Sequence, residues 1–169
     1  RVIIIETERL ALREMNSAVD AEFVFELLNS PKFLKYIGDR GVRSAAEAAE
    51  FIETRYRKSY YDHGYGLYTV ERKPEGLPIG ICGFVRREML PGPDIGFAFL
   101  PEYEGMGYGF EAARATLDHG RELGFSQVYA ITTPDNLISV KLLLRLGFLD
   151  DGTTQTEDSE TLRVFRTDL

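Results

Sequence analysis

Cysteine is nearly missing from this chain. Cys82 is the one thiol among 169 residues, which excludes an internal disulfide and suits a reducing, cytoplasmic compartment. Long apolar runs are missing too: none approaches the roughly 20 residues that a membrane span needs, and Val2 to Ile5 is too short for the core of a signal peptide. Neither a membrane nor secretion is expected. Histidine is scarce: His63 and His119 each precede a glycine, show no metal-ligand spacing, and read as helix-end or surface residues. No metal is expected. Positive charge is in deficit, 20 Lys and Arg against 27 Asp and Glu, giving a net charge of −7 and a pI near 5.0. That argues against nucleic acid as a partner and favours a cationic or amine-bearing one.

What the chain does have is 44% hydrophobic and 28% charged residues, with no compositional break, repeat or low-complexity stretch. Residues 1–169 therefore read as a single domain with a real core. Leu10, Leu12 and their neighbours alternate as a half-buried strand does. Asn16 or Ser17 then caps a helix with Phe23, Leu27 and Leu28 on one face, and Pro31 ends it or begins a short helix reaching Ile37. Ser44 and Glu47 have capping-box spacing ahead of a second amphipathic helix carrying Ala45, Ala48, Ala49, Ile52 and Tyr56 toward Gly64. Three strands follow (Leu67 to Arg72, Pro78 to Val85, Asp94 to Phe99), joined by turns short enough for antiparallel pairing. The pattern then becomes helix (Gly107 to Leu123), strand (Gln127 to Thr132), helix, and a final hairpin from Phe148 to Arg166. A meander feeding a crossover helix predicts a mixed α+β fold: a mainly antiparallel sheet, helices on both faces, and an opening where the antiparallel run meets the crossover strand.

Two motifs flank that opening. Glu104-Gly105-Met106-Gly107-Tyr108-Gly109 lies between a strand and a helix, where alternate glycines let a ligand approach the backbone and the first-turn N–H groups favour an anion. After the next strand, Asn136-Leu137-Ile138-Ser139 opens an apolar helix ending Leu146-Gly147-Phe148. Together these segments resemble the Gcn5-related N-acetyltransferase (GNAT) family, whose pyrophosphate loop reads Gln/Arg-x-x-Gly-x-Gly/Ala and whose next helix reads Asn-x-x-Ala/Ser followed by Leu-Gly-Phe. Thr7-Glu8-Arg9-Leu10-Ala11-Leu12-Arg13 is similar to the first strand of the branch that acetylates ribosomal-protein N-termini, the RimJ/RimL-like branch.

The resemblance implies transfer of acetyl from acetyl-coenzyme A to a primary amine, in a fold where two central strands splay and the pantetheine arm enters between them. It implies cofactor contacts at Ala98, Phe99 and Leu100 through the main chain, at Gly105, Met106, Gly107, Tyr108 and Gly109 in the loop, and at Asn136 and Ser139. Asn136 also reads as a plain helix cap, and cap and contact can coexist. Glu104 departs from the family's glutamine or arginine; a carboxylate facing a pyrophosphate is repelled, so Glu104 is expected to point to solvent. Glu111 reads as an acid complementing the helix dipole. Lys141 and Arg145 either reach coenzyme A or form a solvated helix face.

Chemistry needs a proton acceptor for the amine and a donor for the departing thiolate. The family's tyrosine acid falls on Leu143 and its glutamate base on Ile131, so both are missing. Asp94 takes the place of a frequent glutamate of the ribosomal branch and is the expected base or amine-positioning group, against the alternative of a solvated aspartate at a strand start. Ser139 is the candidate proton relay. Cys82 reads as buried and inert; Tyr56, Tyr60 and Tyr61 read as core or as the wall of an acceptor pocket. Three readings stay open: an acetyltransferase acting on a protein or peptide N-terminus, the same chemistry on a small amine such as an aminoglycoside or polyamine, and a catalytically silent acyl-coenzyme A-binding module. A monomer or homodimer is expected.

Overall fold

A computed structural model describes all residues 1–169. Its elements in chain order are β1 (Ile3–Glu6), β2 (Leu10–Arg13), α1 (Ser17–Leu28), α2 (Ala45–Phe51), α3 (Lys58–His63), β3 (Leu67–Arg72), β4 (Leu77–Val85), β5 (Asp94–Phe99), α4 (Tyr108–Glu122), β6 (Gln127–Thr132), α5 (Leu137–Arg145), β7 (Leu149–Gln155) and β8 (Thr161–Asp168). They form one eight-stranded sheet in the order β1-β2-β3-β4-β5-β6-β8-β7, antiparallel everywhere except between β5 and β6. No helix is long and apolar enough to cross a membrane.

Helices cover both faces. On one, α1, the turn after it, α2 and the segment that continues α2 bury Val24, Leu27, Phe33, Ala48, Ile52 and Tyr56 against Ile81 of β4. On the other, α4 sets Tyr108 and Ala112 against Leu10, Leu12, Val70, Ile79 and Cys82, while Ala113 and Leu117 join Phe84, Ile95 and α5's Val140 and Leu143. A side-chain period of two would put Ile79 and Ile81 on one face. The β3–β4 register instead steps from Val70 opposite Gly80 to Glu71 opposite Pro78, leaving Ile79 as an extra residue. That bulge turns Ile79 to the α4 side, with Cys82.

The expected helix from Ser44 toward Gly64 is present, but its middle, Ile52–Arg57, is wound as a π-helix. The sequence explains this. Ala48, Ile52, Tyr56 and Tyr60 recur every four residues, so on a 3.6-residue helix the apolar stripe drifts by about 40° per repeat. A wider turn keeps Ala48, Ile52 and Tyr56 in one core. The residues after Pro31 are likewise a π-type turn, Phe33–Ile37. Asn16, not Ser17, caps α1, accepting from the N–H groups of Ala18 and Val19.

The first strand differs most from expectation. A further strand, β1, precedes it, and all four residues of β2 are buried, not alternately exposed. The reason is Arg13, 4% exposed, which forms a two-pronged pair with Asp20 at 2.7 and 2.8 Å and a second pair with Glu71, itself bonded to Arg1. The Asp20 carboxylate also accepts from the Asn16 N–H at 2.8 Å. Bonding to Asp20 holds the Arg13 pKa above its ordinary value. Burial alone pushes the Glu71 carboxyl up, but bonds from Arg1 and Arg13 outweigh it and hold its pKa below the ordinary value. Removing one member strands a buried charge, so Asp20→Ala should lower the unfolding free energy by about 3–5 kcal/mol. Urea denaturation measures it; a loss under 1 kcal/mol would mean that Arg13 reaches water when its partner is removed.

Candidate active site

β5 and β6 share a single register pair, Asp94 with Tyr129, supported by the Tyr129 N–H to Pro93 C=O bond at 2.9 Å. Beyond it they part. The opening is a cleft of about 1110 Å³ walled by β5 on one side and by Ala130 to Thr133, Asn136 and Ser139 on the other. The main chain of β5 beyond Asp94 has no ladder partner on the β6 side, so its edge can pair with an extended amide-bearing ligand. At about 3.3 Å per residue, the six steps from Leu100 back to Asp94 span about 20 Å.

Loop 104–109 closes one end of this run. Gly105 and Gly107 have φ of 75° and 82°, a region that side chains rarely tolerate. Gly107 is also the N-cap of α4 and supplies no capping side chain. The first helical bond comes from Glu111 N–H to Gly107 C=O, which leaves the N–H groups of Tyr108, Gly109 and Phe110 without a partner. A Cβ on Gly107 would lie 3.3 Å from the Arg9 guanidinium. This cradle fits a diphosphate.

The other expected contacts divide. Ala98, Phe99, Gly105, Gly107, Tyr108, Gly109, Asn136 and Ser139 all line the cleft. Leu100 does not: it is 5% exposed in the core and its N–H bonds to the Ile79 carbonyl at 2.9 Å. Met106 is 48% exposed and outside the lining, and its carbonyl accepts from Arg9 at 3.0 Å. Asn136 caps α5 by accepting from the Ser139 N–H at 3.3 Å. Leu143 and Ile131, where the family's acid and base would stand, are apolar positions of the lining.

Asp94 is no solvated strand-start residue. It is 1% exposed, sits at the apex where the strands part, and receives the Arg87 Nε–H at 3.1 and 3.2 Å. Burial pushes its pKa up to about 6 from an ordinary 3.8, and Arg87 opposes that rise. Cys82 is buried beside Thr116, and burial pushes its thiol up to about 12. Of the three tyrosines, Tyr56 lines the cleft, Tyr60 stacks on Tyr68 in the core, and Tyr61 is 76% exposed.

Two ion pairs around the loop escaped the sequence reading. Glu104 does not point to solvent but pairs with Lys32, which follows α1, so its charge beside the anion cradle is offset. Glu111 does more than complement a dipole: it accepts from Thr7 Oγ1 at 2.6 Å, Arg9 N–H at 3.0 Å and Arg9 Nε–H at 2.7 Å. Partial burial pushes the Glu111 carboxyl up, but these bonds outweigh it and hold its pKa below the ordinary value. Arg9 thus reaches Gly107 from across the chain and lies 4.4 Å from the Tyr108 ring. No local signal marks either pair. Arg145 lies 4.0 Å over the Phe110 ring and, with Arg9 and Arg114, borders a second recess beside Gly107; Lys141 borders neither cavity.

A family model described as an acetyltransferase (GNAT) domain matches residues 9–149. The chain is similar to the uncharacterized N-acetyltransferase YoaA of Bacillus subtilis (strain 168), 29% identical over 88% of this chain and 84% of that protein. Among solved structures it is similar to RimL, a ribosomal alpha-N-protein acetyltransferase in complex with coenzyme A (TM-score 0.83, 17% identity, 99% and 98% of the two chains). It is also similar to the microcin self-immunity acetyltransferase MccE in complex with acetyl-CoA and AMP (TM-score 0.79, 16% identity, 96% and 94%).

Two loop variants should move coenzyme A affinity in opposite directions. Gly107→Glu puts a side chain and a negative charge into the cradle, and a loss of about 2–3 kcal/mol means roughly 30- to 150-fold weaker binding. Glu104→Gln removes a carboxylate and frees Lys32, for an expected gain of about 3- to 10-fold. Calorimetric titration of the folded variants decides both; unchanged affinity in Gly107→Glu would remove this loop from the site.

Proposed function

The chain belongs to the GNAT acetyltransferase family and is an acetyl-coenzyme A-dependent N-acetyltransferase, and from that premise we propose that it acetylates the N-terminal amine of a protein or peptide by direct attack within a ternary complex. The observation that carries this reading is the length of the cleft. Beyond the part that the loop, the β5 edge and α5 occupy, its lining continues over Phe33, Tyr36, Ile37, Phe51 and Tyr56 to Thr156 and Glu160 at the β7–β8 turn. A peptide end fits such a wall. The RimL likeness is one of fold, and supports the reading to that extent.

Acetyl-coenzyme A, when bound, supplies an activated acyl group that passes to the amine nitrogen as the thiol departs. The residues of this chain do the rest. The unpaired N–H groups of Tyr108, Gly109 and Phe110 hold the diphosphate, the open edge of β5 orients the pantetheine amides, and Asn136 and Ser139 face them from α5. Asp94 accepts the ammonium proton at the apex, directly or through a water, with Arg87 holding its carboxylate in place. Ser139 relays a proton to the leaving sulfur. With neither a tyrosine acid nor a second carboxylate base at the family's positions, positioning of amine and thioester carries much of the rate.

A small-molecule amine acceptor is the second reading, since MccE, a protein of this fold, is solved in complex with the small molecule AMP. Acetyl transfer to N-terminal peptides and to small amines, measured side by side, separates the two. Transfer to small amines alone would overturn the peptide reading.

The pH dependence tests Asp94. As a base it works ionised, so the rate should rise through about pH 6, the value to which burial pushes it. The stability consequence has the opposite sign: the folded protein holds this proton more tightly than the unfolded chain, so stability falls as pH rises from 3.8 to about 6. Asp94→Asn should cut turnover by about 10²–10⁴-fold, flatten the acid limb and leave acetyl-coenzyme A affinity near that of the parent. Superimposable pH–rate profiles for the two proteins would exclude Asp94 as the base.

A further inference from the structure

The chain carries a net charge of −7, yet one wall of the acceptor half of the cleft is cationic and incompletely paired. Arg40, Arg55 and Lys58 all line it. Lys58 pairs with Asp62, and Arg87, deeper in, pairs with Asp94. The neighbouring carboxylates Asp39 and Glu53 pair with Arg43 and Arg57. Arg40 and Arg55 have no carboxylate partner. Each lies instead over an aromatic ring of the same wall: Arg40 is 5.9 Å from the centre of Phe33, and Arg55 is 5.6 Å from that of Phe51. Phe51 in turn packs edge-on to Tyr56 at 5.3 Å. Tyr56 is 9% exposed and lines the cleft, and its hydroxyl makes no hydrogen bond within the chain.

These groups feel one another. Burial lowers the Arg40 pKa, the nearby charges of Arg87 and Arg55 lower it further, and Tyr56 opposes them. Burial pushes the Tyr56 phenol up to about 12, so it stays protonated and can donate. Two like charges held on one concave wall repel unless an anion lies between them, and guanidinium forks match carboxylate and phosphate oxygens. Asp62 and Glu160 also line the cleft, but neither pairs with Arg40 or Arg55.

We propose that the acceptor is an amine bearing an anionic group, a carboxylate or phosphate, and that Arg40, Arg55 and the Tyr56 hydroxyl bind that group while the amine faces Asp94. Arg40, Arg55, Arg87 and Asp94 all line the one cleft, so an acceptor whose amine faces Asp94 can present its anionic group to Arg40 and Arg55. A short zwitterion and a peptide with an acidic residue beside its N-terminus both meet this description. The inference rests on the acetyltransferase reading and narrows its substrate.

The test is acetyl transfer to matched acceptors: β-alanine against its amide, O-phosphoethanolamine against ethanolamine, and N-terminal peptides with Glu or Gln at the second position. The anionic member of at least one pair should show a kcat/KM about 10- to 100-fold higher. The double variant Arg40→Gln, Arg55→Gln should erase that preference through KM, with acetyl-coenzyme A affinity showing that the variant is folded. The pair that responds distinguishes carboxylate from phosphate and free amine from peptide. Equal rates within every pair, or a preference that survives the double variant, would overturn the proposal while leaving the acetyltransferase intact. If no acceptor is turned over, inorganic phosphate and acetate are titrated calorimetrically into protein saturated with coenzyme A, which blocks the loop. Binding that the double variant loses supports the proposal, and no binding to the parent overturns it. A parent that does not bind acetyl-coenzyme A would instead overturn the reading on which the proposal rests.

Discussion

Strands β5 and β6 meet at Asp94 and Tyr129 and then separate, leaving backbone donors and acceptors inside the protein without a strand to pair with. Unpaired main-chain groups away from water are costly, so a sheet that opens in its middle needs something else to hold it. Here that is a core below the opening. Phe84 and Ile95 from one half-sheet pack with Val128, Ala130 and Phe165 from the other, and α4 and α5 add Ala113, Leu117, Val140 and Leu143. At about 1.5–3 kcal/mol for each large side chain buried, this cluster offsets the missing ladder. The halves are thus joined by side chains where the main chain does not join them, and the free edge is available to a ligand.

Every proposed role follows from that opening. Its apex holds Asp94, which is buried because the strands still touch there. Its wide end meets loop 104–109, where two positive-φ glycines turn the chain so that the first turn of α4 points back along the gap. The distance between these ends is fixed by strand rise, so the strand spaces the anion cradle from the acid–base centre. Leu143 and Ile131 make the middle of the cleft apolar, which leaves the chemistry to the apex and to orientation.

How much of this was legible in the sequence depended on whether a feature has a local cause. The strands from Leu67 to Phe99, the glycine loop and the Asn136 cap carry signals within a few residues, and all are present; the splay was implied by the family resemblance alone. β1 was missed because Ile3–Glu6 is a short apolar run whose only support is pairing to β2. Arg13 looked solvent-facing because its partners, Asp20 and Glu71, come from a helix and from a strand 58 residues away. Arg9 reaches Glu111 across 102 residues and Lys32 reaches Glu104 across 72; periodicity and capping rules say nothing about such pairs. The π-helical stretch was readable in principle, from apolar residues spaced strictly by four.

The ion pairs hidden from the sequence also divide the cleft by charge. At the loop, Arg9 and Lys32 are neutralised by Glu111 and Glu104, so the anion is met mainly by backbone N–H groups whose orientation is fixed before it arrives. On the acceptor wall the balance is reversed, since Arg40 and Arg55 have no carboxylate partner while Asp39, Glu53 and Asp62 pair with Arg43, Arg57 and Lys58. A net-negative surface repels anions at long range, but beyond a Debye length of about 8 Å at physiological salt that field is screened. Under the proposal, selection falls to the wall itself, where an anion meets two unpaired guanidinium groups and an amine without an anionic group gains nothing. The overall acidity and the basic wall therefore do not conflict, because they act at different distances. The first is a property of composition, whereas the second required the fold to bring Arg40 and Arg55 to one face of the cleft.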